Sequence, residues 1–261
     1  MFLKQNKFKN NYLVLCTSLI FLSSIPFKYL LAENIYIGVA SNFLKPMKVL
    51  KDNFESKNEG QIFISSGSSG SLYAQIINGA PFSAFFSADQ SKPQALEKAG
   101  LVLDGSRFTY AIGRLVLWSS IDQFVDNNKE RLINGNYDTL AFANPRVAPY
   151  GIAAQEVLQR LNVRKSKNHA WVNGENVAQT YQFIATQNVD LGFVSLSQII
   201  GDGEVKNGSS WLIPPSMYDP ILQDAVILKS SEAIEATREL MLFMRSSYVR
   251  NTIEEYGYFK P

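Results

Sequence analysis

Two short polar turns hold the residues whose types and spacing best suit chemistry. Ser41 and Asn42 directly follow an apolar run, and Ser68 and Ser69 follow a second one. Helical spacing begins after each turn, so the hydroxyls, the Asn42 amide and unpaired backbone N–H groups would lie at two helix N-termini. A helix N-terminus carries about half a positive charge, and several of them aimed at one point bind an anion without any Lys or Arg.

This donor set favours a weakly basic tetrahedral oxyanion that must be both held and released. A buried Lys or Arg would grip the anion more tightly and would carry a large desolvation penalty whenever the site stood empty. A plainer interpretation stays open at this point. In it, Ser41 and Asn42 cap one helix, and residues 65–71 form an ordinary turn.

The elements that must position these turns alternate between strands and helices, which predicts an α/β fold with mainly parallel sheets. Phe43, Met47, Leu50 and Phe54 share one helical face, and Pro46 falls in the first turn, where proline is tolerated. Apolar runs predict strands at residues 35–40, 61–64, 82–87, 114–118, 140–143, 189–195 and 224–228. Helices are predicted from residue 72 onward, over 93–99, 152–161 and 175–186, and through most of 232–256.

Residue types needed for catalysis or metal binding are scarce. The only histidine, His169, lies in a polar Lys-rich stretch, and residues 67–71 lack both the spacing of a nucleophile elbow and the Lys of a phosphate-binding loop. No Cys and His cluster suits zinc, and no acidic run has the spacing of a calcium loop. We therefore predict no catalytic residue, no cofactor and no metal-ligating side chain. An exported hydrolase that uses a pair of carboxylates stays open as a distant alternative.

The distribution of charge argues against nucleic acid as a partner. The 261-residue chain has a net charge of +2, but its first 32 residues contain four lysines and no acidic residue. The rest of the chain has 21 basic and 23 acidic residues, a net charge of −2. It has no Lys/Arg run and no basic helical face that could follow a phosphate backbone.

The first 32 residues have the pattern of a signal peptide. Three lysines precede residues 12–26, which are apolar and uncharged, and Ala32 offers a small residue for cleavage. The apolar stretch is shorter than the ~20 residues that a membrane span needs, although an uncleaved anchor stays open. The only cysteine, Cys16, falls inside this segment. We expect an exported, soluble protein that has no thiol after cleavage.

Seven short motifs follow one another along the chain. They are Val-Ala-Ser-Asn-Phe at 39–43, Ser-Gly-Ser-Ser-Gly-Ser-Leu at 66–72, Phe-Ser-Ala-Asp at 86–89, Asn-Pro-Arg-Val-Ala-Pro-Tyr-Gly at 144–151, Gly-Glu-Asn-Val at 174–177, Leu-Gly-Phe-Val at 191–194 and Tyr-Gly-Tyr-Phe at 256–259. Each motif alone is weak, but the ordered set is specific. Over essentially the whole mature chain, this set resembles the periplasmic molybdate-binding proteins of ABC importers.

The resemblance implies a type II periplasmic-binding fold, in which two α/β lobes are joined by crossover strands and enclose the ligand in a cleft. Lobe 1 would consist of residues 33–112 and 220–261, and lobe 2 of residues 113–219. A signal peptide would occupy residues 1–32.

The resemblance also implies the ligand set. The family's oxyanion donors carry over to the hydroxyl and N–H of Ser41, Asn42 or its N–H, the hydroxyl and N–H of Ser69, Tyr150, and the N–H of Val177. Val177 is in addition a core position by its helical spacing, and the two roles are compatible because only its backbone would bind.

Two departures from the family pattern stand out. Some members have a ligand tyrosine after the Gly-Phe-Val strand, but this chain has Ser195 there, so it resembles the branch that uses Tyr150. The family's usual Ala-Pro-Ala-Asp is Ala-Pro-Phe-Ser at residues 80–83, which puts in doubt any role of the missing Asp.

The function implied by the resemblance is capture of molybdate, and of tungstate with it, by closure of the lobes, followed by delivery to the membrane permease of an ABC importer. We expect a monomer that is not an enzyme and does not bind nucleic acid. One alternative is the same fold binding another oxyanion, such as sulfate or phosphate. The effector domain of a regulator is disfavoured, because the chain carries an export segment and lacks a helix-turn-helix region.

Overall fold

A computed structural model describes residues 33–125, 128–201, 204–205 and 207–261. The predicted signal peptide, residues 1–32 with Cys16, lies outside these residues. Among the described residues, no helix is both long enough and apolar enough to cross a membrane.

The strands, numbered along the chain, are β1 (Ile35–Ala40), β2 (Ile62–Gly67), β3 (Ala84–Phe86), β4 (Phe108–Gly113), β5 (Leu115–Ser119), β6 (Thr139–Ala143), β7 (Ala170–Gly174), β8 (Leu191–Ser195), β9 (Ile200–Gly201), β10 (Glu204–Val205), β11 (Ser209–Leu212) and β12 (Ile221–Ile227). The α-helices are α1 (Leu44–Glu55), α2 (Ser69–Ile77), α3 (Ser91–Lys98), α4 (Glu130–Asn134), α5 (Pro149–Arg160), α6 (Val177–Ala185), α7 (Leu196–Ile199), α8 (Ile234–Met244) and α9 (Ser247–Glu255). Short 3-10 helices cover Ser41–Phe43 and Pro215–Met217.

Two five-stranded sheets organise the chain into two α/β halves, as the sequence predicted. The first sheet has the order β2-β1-β3-β12-β4, and the second has the order β11-β5-β8-β6-β7. The chain leaves the first sheet at the end of β4, enters the second at β5 after a single intervening residue, Arg114, and returns between β11 and β12. We call these the first half and the second half.

Apolar periodicity explains how the helices attach to the sheets. Met47, Leu50 and Phe54 of α1 are buried with Phe43, so the predicted helical face is confirmed. They belong to a core cluster that also contains residues of β1 and of helices α8 and α9. A second cluster, built around Leu72 of α2, Phe85 and Leu96 of α3, packs separately in the same half.

The prediction of mainly parallel sheets was wrong, because both sheets are mixed. β1 runs parallel to β2 and β3, and β6 runs parallel to β7 and β8, but β12 is antiparallel to both neighbours and β5 is antiparallel to β8 and β11. The antiparallel strands include those that cross between the halves. β4, β7 and β11 were not predicted. Each mixes polar with apolar residues, and alternation over only four to six residues is a weak signal.

The parallel strands determine where a ligand can bind. Helices or helical turns follow the carboxyl ends of β1, β2, β6 and β7, and they start at Ser41, Ser69, Pro149 and Val177, within six residues of the strand end in each case. The carboxyl ends of parallel strands meet at one edge of a sheet, and ligands of open α/β sheets bind in the crevice outside that edge. The two sheets direct these edges towards a shared cavity.

Candidate anion-binding site

A small cavity lies between the two halves, with about 10 Å³ of space for the centre of a water-sized sphere. This is far below the ~300–1,000 Å³ typical of pockets for drug-sized ligands, so the cavity suits only a small ligand. No lining residue is charged, and the donors are hydroxyls, two side-chain amides and backbone N–H groups. The lining residues are Ala40, Ser41, Asn42, Gly67, Ser68, Ser69, Ala88, Ala148, Pro149, Tyr150, Asn176 and Val177.

The first half contributes two helical N-termini to this cavity. Ser41 and Asn42 open the 3-10 turn that leads into α1, and Ser69 is the first residue of α2. The hydroxyl of Ser68 caps α2 by accepting from the N–H of Ser71. The Ser69 hydroxyl accepts the N–H of Ala88 at 2.8 Å, an orientation that leaves its own proton for a further acceptor.

The second half contributes the N-termini of α5 and α6. Pro149 is the first residue of α5 and has no N–H, so the first free donor of that helix is the N–H of Tyr150. Asn176 caps α6, and its side-chain oxygen accepts from Ala178 at 2.9 Å and from Gln179 at 3.1 Å. The cap therefore does not use the N–H of Val177, the first residue of the helix.

All five residues predicted as donors line this one cavity. Ser41, Asn42, Ser69, Tyr150 and Val177 are all buried, with at most 8% of their surface exposed. Neither Ser41 nor Asn42 caps a helix through its side chain, whereas Ser68 caps α2.

The side chain of Asn42 is engaged by protein partners. Its amide donates to Gln223 Oε1 at 2.9 Å and to Tyr258 Oη at 3.0 Å, and its Nδ2 lies 3.5 Å from Tyr150 Oη. Its backbone carbonyl accepts from Tyr258 at 2.8 Å and from Ser197 at 2.8 Å. These contacts use the side-chain amide and the backbone carbonyl of Asn42, so the backbone N–H is the group of Asn42 that is left to donate to a ligand.

Buried tyrosines surround the contact between the side chains of Asn42 and Gln223, and they stay uncharged. Burial raises the pKa of Tyr150 well above its ordinary value, and neighbouring Tyr258 raises it further. Burial likewise raises the pKa values of Tyr110 and Tyr258. Because the cavity lining also lacks charged side chains, the site has no titrating group that would change charge near neutral pH.

The halves touch each other beside the cavity. The N–H of Gly70 in α2 donates to the carbonyl of Val147 at 2.8 Å, and Ser197 donates to the Asn42 carbonyl from the opposite half. Ala40 and Ala88, at the carboxyl ends of first-half strands, pack into the core cluster of the second half. The cleft is therefore closed in this structure.

Sequence reasoning missed four residues that shape the site: Ala88, Asn176, Gln223 and Tyr258. Ala88, Asn176 and Tyr258 fell inside recognised motifs without a role. Gln223 had a usable signal, because a polar pair, Gln223 and Asp224, interrupts an otherwise apolar buried strand. Within the described residues, no group of three or more His, Cys, Asp or Glu side chains could hold a metal ion.

Comparison with known proteins decides the family. The profile of the bacterial extracellular solute-binding proteins matches residues 35–259. This chain belongs to that family. The solute-binding protein is 42% identical over 227 residues to the molybdate-binding protein ModA of Azotobacter vinelandii, covering 87% of this chain and 90% of the relative. It is 40% identical over 227 residues to the molybdate-binding protein ModA of Rhodobacter capsulatus, covering 87% and 88% of the two chains.

A solved structure agrees with the sequence comparison. The periplasmic molybdate-binding protein of Azotobacter vinelandii superposes on this solute-binding protein with a TM-score of 0.83 at 40% identity, covering 87% of this chain and all of the other. The predicted resemblance and the two-lobed fold are thereby confirmed.

Proposed function

We propose that this solute-binding protein captures molybdate, and tungstate with it, and delivers the anion to the membrane permease of an ABC importer. The observation that carries the proposal is the convergence of four helical N-termini on one small cavity without charged side chains. Partial positive charge at each terminus suits a dianion that must also be released. The names of the relatives at 42% and 40% identity support molybdate as the ligand.

The proposed donors come from both halves. Ser41 and Ser69 each offer a hydroxyl and an N–H, and Asn42 offers its N–H. Tyr150 and Val177 offer their N–H groups from the second half. Pro149 has no N–H, and the Asn176 cap binds the N–H groups of Ala178 and Gln179, so the N–H groups of Tyr150 and Val177 are the first available donors of their helices. The Tyr150 hydroxyl instead lies beside Asn42 and Gln223.

Binding is coupled to closure of two lobes. Lobe 1 comprises residues 33–112 and 220–261, lobe 2 comprises residues 113–219, and the hinge lies where the chain crosses between the sheets. Only the closed arrangement brings all donors to one point, so a ligand that uses donors of both lobes favours closure.

Selection among oxyanions follows from the size of the cavity and from the lack of a carboxylate hydrogen-bond acceptor in its lining. A protonated phosphate needs a partner for its O–H, and the cavity has no carboxylate to supply one. The protein acts as a monomer in the periplasm after removal of residues 1–32, without catalysing a reaction and without binding nucleic acid.

Calorimetric titration of the purified protein with molybdate, tungstate, sulfate and phosphate, each alone, tests the proposal. We expect saturable binding of molybdate and tungstate only. A parallel melting experiment should agree, because a native-state ligand at ~100 times its Kd adds ~2.7 kcal/mol to the free energy of unfolding. Equal binding of sulfate or phosphate would indicate a general oxyanion carrier. Absence of any binding would refute the proposal.

A further inference from the structure

Gln223 is a buried polar residue that the anion does not need directly. It lies in β12, has no exposed surface and does not line the cavity. The pairing of β12 with β4 shifts register between Gln223 and Asp224, and such bulges redirect side chains in sheets. Here the result is a side-chain amide placed behind the cavity wall, between the two halves.

Both polar atoms of this amide have partners. Gln223 Oε1 accepts from Asn42 Nδ2 at 2.9 Å and from Tyr110 Oη at 3.0 Å. Its Nε2 lies 3.5 Å from the Tyr150 hydroxyl and donates to it. Asn42 belongs to the first half and Tyr150 to the second, so a single side chain connects donor-bearing turns of both halves.

Packing alone gives no reason for an amide at this position. A buried amide must be fully hydrogen-bonded to avoid a desolvation penalty, and an apolar side chain of similar volume would fill the same space without that requirement. The neighbouring Asp224 has a separate explanation, because it pairs with Arg107 at 2.8 Å and accepts from Thr109 at 2.7 Å.

We infer that Gln223 is a positioning residue for anion binding, which holds Asn42 and Tyr150 at the spacing of the closed cleft. This inference rests on the proposed function. The amide of Gln223 and the hydroxyl of Tyr258 together fix the side chain of Asn42, and so the direction of its backbone N–H. Rotation of the second half away from the first separates Tyr150 from Gln223, so this contact favours the closed state.

Two isosteric substitutions separate positioning from simple stabilisation. Gln223→Met removes both hydrogen-bonding functions, and we expect a molybdate Kd about tenfold weaker, equivalent to loss of one buried hydrogen bond. Gln223→Glu keeps an acceptor for Asn42 but replaces the donor to Tyr150 with a negative charge near the anion. Its Kd at about pH 8 should be weaker by about 100-fold or more.

The pH profile of the Gln223→Glu variant is the decisive measurement. Tyr110 and Tyr150 contact Gln223 directly, Tyr258 bonds to its partner Asn42, and the Asp224 carboxylate pairs with Arg107, so the introduced carboxyl is the one titratable group that the substitution adds. Burial favours the neutral form of this carboxyl, which removes the repulsion of the anion as the pH falls. The ratio of the variant's molybdate Kd to the wild-type Kd should therefore fall about tenfold or more between about pH 8 and about pH 5.5.

Thr237→Val is the matched control. Thr237 is fully buried in α8 and donates to the Ala233 carbonyl at 2.6 Å, away from the cavity lining. This variant should melt at a lower temperature and keep the wild-type Kd. Wild-type affinity in both Gln223 variants at every pH would overturn the inference and leave the proposed function intact. Failure of the wild-type protein to bind molybdate would overturn both.

Discussion

The backbone N–H of Gly70 donates to the carbonyl of Val147 across the cleft at 2.8 Å. A Cβ on Gly70 would lie 2.9 Å from both the Cα and the carbonyl oxygen of Val147, closer than such atoms approach in proteins. Gly70 is the second residue of α2, where the backbone is helical and alanine is otherwise favourable. Glycine is therefore needed at this position for contact between the halves.

Gly70→Ala should obstruct closure while leaving each half folded. We expect the molybdate Kd to weaken by at least about tenfold, because the close approach of α2 to the loop before α5 is lost. The unfolding midpoint without ligand should change little. Gly38→Ala is the control, since its Cβ would meet neighbours only at ordinary distances of 3.5 Å or more. Equal affinity of the two variants, measured by calorimetry, would contradict the prediction.

Removal of the proposed donor hydroxyls should weaken binding without unfolding the protein. Ser41→Ala and Ser69→Ala each remove a hydrogen bond to a charged ligand, which corresponds to about 1.5–3 kcal/mol or roughly 10–100-fold in Kd. Ser66→Ala, at an exposed serine just before the same turn as Ser69, is the control. Titration of all three variants with molybdate gives the comparison. Unchanged affinity in both test variants would eliminate this assignment of donors.

Asn176→Asp should separate the capping of α6 from anion binding. Asp caps helices as well as Asn does, so we expect the melting temperature to be kept. A carboxylate at the cavity wall repels a dianion. At an effective dielectric constant of about 20, two unit charges 4 Å apart interact by about 4 kcal/mol. The affinity for molybdate should therefore fall by more than about 100-fold.

Ser246→Asp provides the control for this charge change. Ser246 caps α9 by accepting from the N–H of Val249, and it does not line the cavity. This variant should keep wild-type affinity. A similar loss in both variants would show that net charge, rather than the position of the charge, weakens binding.

Alkaline pH should destabilise the fold through its buried tyrosines. The pKa values of Tyr110, Tyr150 and Tyr258 are raised in the folded state, so the unfolded chain releases these protons at lower pH than the native protein. Their stabilising contribution is therefore complete below about pH 10 and falls above it, by up to about 1.4 kcal/mol per pH unit for each tyrosine.

Urea unfolding at several pH values between about 9 and 11 measures this slope. Tyr110→Phe should make the decline less steep, because one buried group no longer ionises on unfolding. Tyr36→Phe removes a hydroxyl at an exposed position and serves as the control. An identical slope in the wild type and in Tyr110→Phe would be inconsistent with the raised pKa of Tyr110.

Much of the secondary structure followed from local patterns. The apolar run at 35–40 is β1, and the runs at 140–143 and 189–195 became β6 and β8 with shifts of at most two residues. Helices with four-three-four apolar spacing, such as α1, were equally clear. The direction of strand pairing could not be predicted from the sequence, because a buried strand has the same apolar composition whether its neighbours are parallel or antiparallel.

The candidate site was predictable in part. The turns around Ser41 and Ser69 have donor side chains at helix starts, which favoured an oxyanion ligand but left ordinary helix capping open. Tyr150 and Val177 were identified only through the resemblance, since their proposed donors are backbone groups and every residue other than proline has such a donor. Gln223 could not be connected to them, because its partners are distant in sequence.

The sequence by itself determined most of the elements and the presence of neutral donors at helix starts, because these depend on residue types within a few positions of one another. It also determined the family, through the order of seven short motifs along the chain. Only the tertiary structure decided that four helical N-termini share one cavity, that the Asn42 amide binds protein partners, and that Gly70 meets Val147 across the cleft. The physical reason is that these contacts join residues up to 216 positions apart in the chain. Their distances are set by how two sheets pack against each other, which no local pattern specifies.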